Sequence, residues 1–386
     1  MPRVVPFRRS SSPSIALAFA AMTAACGTSE TPVAPAPLGM NDVSVLVPLA
    51  VAADWLPGAA SGARGVLLPK AAFEAVPKFG VTAPEGIEYP RMRVVAARFD
   101  GCFRYPGKPN CEAQIRLVFQ PLHDDGSARD SALHVFYRLE DSAFRDVVKV
   151  LRSLRKEAPE ASVDDALRVH PALAAQGATG RYASELRALI LAHAGEENLI
   201  RETFFLRAPP RQETWFFGGV EPKEGAYKAI EIVGVGAGNQ RVIRPVTTDG
   251  YLYDVLPSPK EPEDGNPLLD STKLDGLSEE ARTSAYASYV RLQNPKNYGP
   301  DDLPCAGCHV ATVVTSHLER RWPALATAAA TDRFTSTKNL SLTGGSEGQA
   351  SSLRVFGWFG REPMIAHRIV NETAEVLADL ERRYPD

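Results

Sequence analysis

The chain has 386 residues, 44% of them hydrophobic, with 43 Lys and Arg against 46 Asp and Glu and a formal net charge of −3. That length is enough for two domains. The even charge balance, with no basic block or aromatic–basic strip, argues against a nucleic-acid partner. Beyond the N-terminus no apolar run approaches the roughly 20 residues of a membrane span.

Arg3, Arg8 and Arg9 precede a short apolar run at 15–25. The run is too short for a membrane span and reads as the hydrophobic part of a secretory signal peptide at 1–25. It ends in Thr23-Ala24-Ala25-Cys26-Gly27, which resembles a bacterial lipobox with Cys26 as the lipid-bearing residue. Thr23 stands where that signal usually carries Leu, and simple cleavage after Ala25 is the alternative. Gly27 stands where an inner-membrane retention signal would carry Asp. The resemblance therefore implies an outer-membrane lipoprotein facing the periplasm or the cell surface. Residues 26–40, rich in Pro, Ala, Ser and Thr, read as a flexible tether.

Residues 41–255 read as an α+β domain. Strands are expected at 93–99, 113–120, 132–139, 199–206, 214–220, 226–233, 240–246 and 251–255, where β-branched and aromatic residues cluster between turn signals. Helices are expected at 142–156 and 180–194. In the first, Phe144, Val147, Val148, Leu151 and Leu154 share one face. Strands in hairpin order with few helices suggest an antiparallel sheet with helices on one face. Cys102 and Cys111 flank a Pro/Gly-rich turn between two strands, where a disulfide is expected in an oxidising compartment. Two unpaired thiols are the alternative.

No catalytic constellation stands out in this region. The run Gly234-Val-Gly-Ala-Gly238 lacks G-x-G-x-x-G spacing and precedes a strand, so it reads as a hairpin loop. His134 lies in an apolar strand and reads as a core or edge residue. His123 sits beside Asp124 and Asp125 in a polar loop, and His170 and His193 have no evident partners.

Residues 256–267, rich in Pro and charge, read as a linker. A small, mainly helical domain follows at 268–386. Ser278 caps a helix at 279–293. Cys305-Ala306-Gly307-Cys308-His309 is a C-x-x-C-H, the attachment signature of c-type haem. On one helical turn the three side chains stand at i, i+3 and i+4, so both thiols and the imidazole can address one macrocycle. The motif helix is expected to run to about residue 320, and a final amphipathic helix covers 365–383.

At this point residues 278–386 resemble a single-haem cytochrome c domain. The resemblance implies covalent haem c on Cys305 and Cys308, His309 as proximal iron ligand, and a distal methionine in a loop before the last helix. Met364 is the only methionine downstream of the motif. His367, His317 or an open position are the alternatives to it. The upstream helix is separated from Cys305 by a Pro/Gly stretch, unlike the usual family arrangement. The leading functional expectation is a membrane-tethered electron carrier serving a redox partner protein, with no catalytic residues assigned. A haem-dependent sensor or peroxidase-like enzyme is a second reading. A haem-free lipoprotein, with Cys305 and Cys308 in a disulfide or a zinc site, is a third.

Overall fold

The computed structural model describes residues 36–77, 88–104, 111–208, 213–236, 238–244, 250–265, 269–343 and 353–385. The signal peptide, Cys26 and most of the expected tether lie outside the described residues.

The chain opens with α1 (Met40–Val43), β1 (Ser44–Leu46), α2 (Leu49–Trp55), the small hairpin β2 (Ser61–Gly62) and β3 (Gly65–Val66), and α3 (Lys70–Ala75). Next come β4 (Met92–Phe103), β5 (Glu112–Pro121), β6 (Ala132–Leu139), α4 (Asp141–Lys156), α5 (Pro171–Gln176) and α6 (Arg181–His193). Then follow β7 (Leu199–Ala208), β8 (Glu213–Lys223), β9 (Ala226–Ala229), β10 (Asn239–Arg244) and β11 (Asp254–Leu256). The last part holds α7 (Glu279–Leu292), α8 (Cys305–Arg321), α9 (Leu325–Ala328), the hairpin β12 (Phe356–Phe359) and β13 (Glu362–Ile365), and α10 (His367–Arg383). Among the described residues no helix is long and apolar enough to cross a membrane.

The expected α+β class holds in its main feature, a nine-stranded sheet in the order β1-β4-β5-β6-β7-β8-β10-β11, with β9 pairing on β8. Every pairing in it is antiparallel. Alternation sorts its side chains onto two faces. Ile115, Leu117, Leu133, Val135 and Tyr137 share one face and pack in the core with Phe144, Val147 and Leu151 of α4. The other face carries Arg98, Arg116, His134, Phe136, Phe205 and Phe217. α8 and α10 lie against this second face.

Helices therefore cover both faces of the sheet, not one. Sequence periodicity gave the stripe of α10 but not its target: Ile369, Val370, Leu377 and Leu380 join the core that holds Val43, Val45 and Phe99. A second core joins Trp215, Phe217, Val242 and Tyr253 to Tyr286, Tyr289, Val310, Val314 and Leu318. Both cores thus draw on residues from either side of 256–267, and the described chain forms one compact unit. The described part of the expected linker is pinned. Asp264 accepts hydrogen bonds of 2.8 and 2.6 Å from Arg291 and one of 2.9 Å from the Tyr298 hydroxyl.

The tether ends earlier than its composition suggests. Leu38 and Met40 are already buried, and the Asp42 carboxylate accepts from the Gly39 N–H at 2.7 Å to start α1. The Cys102–Cys111 disulfide is present and ties the end of β4 to the start of β5. Closing so short a loop contributes about 2–3 kcal/mol in the chain-entropy picture. The glycine run makes a turn: Gly234 has φ +70, and a Cβ there would collide with the carbonyl oxygen of Glu261.

Candidate functional site

Pro304 caps α8 from outside, its φ of −65 suiting the helix entry, and Cys305 is the first helical residue. Two anchors hold this end of the helix against the sheet, and two more tie its middle to the neighbouring helices. The Gln240 carboxamide oxygen on β10 accepts from the Ala306 N–H at 2.9 Å, satisfying a donor that a helix start otherwise leaves open. Arg201 on β7 donates to both carboxylate oxygens of Asp301, at 2.7 and 2.6 Å. The Thr312 hydroxyl reaches Gln293 on α7, and the His367 N–H at the start of α10 donates to it.

With Ala306, Val310, Val313 and Val314 buried on one side, the helix turns Cys305, Cys308 and His309 to the other. All three are half-buried, in a stretch whose neighbours are closed off from solvent. Neither thiol is in a disulfide. Burial pushes Cys305 up to about 12 and Cys308 up to about 11, so both are neutral thiols near pH 7. Among the described residues no group of three or more His, Cys, Asp or Glu side chains is arranged to hold a metal ion, so these three do not form a protein-only zinc site.

The state of His309 follows from its contacts. Its ring stacks on Phe205, with centroids 5.2 Å apart and planes 17° from parallel, and lies 4.6 Å from Phe217. Burial lowers its imidazole to about 4, so the ring is neutral at pH 7. Its Nδ1 is 2.6 Å from the carbonyl oxygen of Leu353. A carbonyl only accepts, so Nδ1 carries the proton and Nε2 keeps a lone pair. This is the arrangement that a backbone carbonyl gives to a metal-ligating histidine.

A charged row crosses the sheet beside the motif. Arg98, Arg116, Phe136 and Arg201 are register partners on β4, β5, β6 and β7. Arg98 is 2.5 Å from Glu372 of α10, which also receives Arg368 at 2.5 Å. Burial opposes the ionised form of Glu372, but Arg368, Arg98 and Arg116 outweigh it and hold the carboxyl at about 2. The Arg116 guanidinium lies 4.8 Å over Phe136 and 5.2 Å over Phe103, and 3.9 Å from Asp100. Its Nε and Nη2 are buried without a hydrogen-bond partner. Arg368, Glu372, Arg116 and Arg98 all act electrostatically on Cys308.

These features fit haem c. Two free thiols and a neutral histidine with its Nε2 lone pair available share one helix face. The unpaired Nε and Nη2 of Arg116, which acts electrostatically on Cys308, suit the anionic edge of such a group. The other expected residues lie on β13, at the start of α10 and further along α8. Met364 is buried on β13, in register with Gly357, and not in the loop that the resemblance implied, because 353–365 folds into a hairpin. His367 starts α10 and is half-buried. His317 lies two turns along α8 from His309 and packs edge-on against Tyr251 at 5.2 Å.

Of the remaining histidines, His123 is exposed, His193 half-buried near the end of α6, and His170 buried as the N-cap of α5, its Nδ1 accepting from Leu173 at 3.4 Å. The sequence reading missed Phe205, Phe217, Leu353, Arg98 and Arg116. The two arginines were signalled, since each is a charged residue set in an apolar strand, Arg98 after Val94–Ala97 and Arg116 between Ile115 and Leu117. The chain matches no protein-family model, no curated protein and no solved structure.

Proposed function

We propose that the protein is an exported monohaem c-type electron carrier, bearing one haem bound covalently through Cys305 and Cys308 with His309 as the proximal iron ligand. A lipid on Cys26 tethers it to the outer membrane, on the periplasmic side or the cell surface, where it meets a redox partner protein. The observation that carries this reading is the Leu353 carbonyl on His309 Nδ1, which leaves Nε2 free beside two unpaired thiols. The bound group would supply a one-electron iron couple.

The chain's residues divide the remaining work. Gln240 and the Arg201–Asp301 pair fix the motif turn on the sheet. Leu353 sets the tautomer of His309, and Phe205 and Phe217 hold its plane. Arg368, Arg116 and Arg98, offset in part by Glu372, put net positive charge in the surroundings of Cys308, which favours the reduced, more negative state of a redox group held there. In this reading residues 268–386 form the haem-bearing part of a body whose sheet closes the other side of the site.

Haem staining after denaturing electrophoresis tests the proposal. Protein produced in a host that exports it and attaches haem c should keep a stained band, and the double variant C305S/C308S should lose it. A colourless wild-type band from such a host overturns the reading.

A further inference from the structure

We propose that His134, on β6, faces His309 across the haem site and supplies the sixth ligand to the iron. This inference rests on the haem reading above and names a residue in the sheet, outside the part of the chain that carries the motif.

Placement comes first. Ala132 pairs with Phe205, and His134 pairs with Thr203, so His134 is a diagonal neighbour of Phe205 on the same sheet face. Diagonal neighbours sit about 7–8 Å apart, within reach of aromatic side chains. Phe205 is the residue on which the His309 ring stacks. The two histidines therefore approach one phenylalanine from different elements, one from the sheet and one from α8.

The second observation concerns satisfaction. His134 Nε2 is buried and has no hydrogen-bond partner. A buried polar atom left in this way costs about 1–3 kcal/mol, and folded proteins rarely tolerate it without a purpose. Yet the His134 residue as a whole is half-buried, while Leu133 and Val135 beside it are fully buried. Cys305, Cys308 and His309 show the same partial exposure. These four side chains, one on β6 and three on α8, thus share partial exposure among closed-off neighbours.

Met364 is the rival, and chemistry separates the two. A buried thioether needs no partner and serves as an ordinary core filler. A buried imidazole nitrogen with no partner does not. Two imidazole ligands would give a lower potential than a His–Met pair.

The test reads the iron's ligands directly, on the full-length exported protein. Staining first establishes that haem is attached; a colourless wild type overturns the haem reading and this inference with it. With haem attached, wild-type ferric protein should show the near-infrared magnetic circular dichroism of bis-imidazole ligation. The variant H134A should keep its covalent haem, lose the low-spin state and regain it when imidazole is added. M364L should leave the spectrum unchanged. A Met–iron charge-transfer band in the wild type, or a high-spin wild type, overturns the assignment while leaving haem attachment intact. The wild-type measurement stands even where H134A does not fold.

Discussion

Replacing Glu372 by Gln should remove the single negative charge that separates two buried arginines. Glu372 is 7% exposed and lies 2.5 Å from both Arg98 and Arg368. The substitution keeps the side chain's shape but leaves both guanidinium charges uncompensated, which costs about 3–5 kcal/mol when a buried pair is broken. A second route gives a similar size. The carboxyl falls from 4.5 to about 2 on folding. At about 1.36 kcal/mol per unit this is roughly 3 kcal/mol. Because the folded value is depressed, this contribution is complete above pH 4.5 and disappears as pH falls toward 2. Urea denaturation of wild type and E372Q across this range is the assay. The wild type should be more stable by about 3 kcal/mol near pH 7, and the gap should narrow below pH 4.5. A gap under about 1 kcal/mol at neutral pH, or one that stays constant down to pH 2.5, would refute the reasoning. Replacing all three members with apolar residues of similar volume should recover much of the loss, since the desolvation cost goes with the charges.

Three further outcomes follow from the same structure. The double variant C102S/C111S should lose about 2–3 kcal/mol in the same urea assay, with no loss of haem from the attached protein. In unattached protein, iodoacetamide should label Cys305 and Cys308 slowly at pH 7. The rate should climb roughly tenfold per pH unit toward the thiol values, because only the thiolate reacts. Ready labelling at pH 7 by peptide mass spectrometry would contradict the buried, neutral thiols described above. Q240A should weaken the start of α8 by about 1–2 kcal/mol by leaving the buried Ala306 N–H unpaired, seen as faster amide exchange across the motif turn.

Much of the fold was legible because its signals are local. The strand around Ile115 alternates visibly, those around Leu133 and Phe205 are rich in aromatic and branched residues, and α4 carries its five buried residues at helical spacing. The described linker residues misled because Pro and charge describe local stiffness and say nothing of Asp264 meeting Arg291. The hairpin at 356–365 was missed because its glycines and aromatics lie inside a stretch that reads as a loop before a helix. Residues 38–46 were missed for a related reason: a Pro/Ala-rich lead-in masks two short elements, α1 and β1, whose burial depends on the distant α10, β4 and α4. For the site, Cys305, Cys308 and His309 were readable since one helical turn brings them together. His134 was not. Its approach to His309 depends on the register between β6 and β7 and on where α8 docks, and no periodicity in 132–139 carries that information. In the sequence it is one histidine in an apolar strand.

The most direct test of the central claim is the mass spectrum of the peptide spanning residues 305–309, taken from protein exported by a haem c-attaching host. The account predicts that this peptide carries one haem joined through both Cys305 and Cys308, and that H309A lowers the yield of that product. An unmodified peptide, or one holding only a Cys305–Cys308 disulfide, would contradict it.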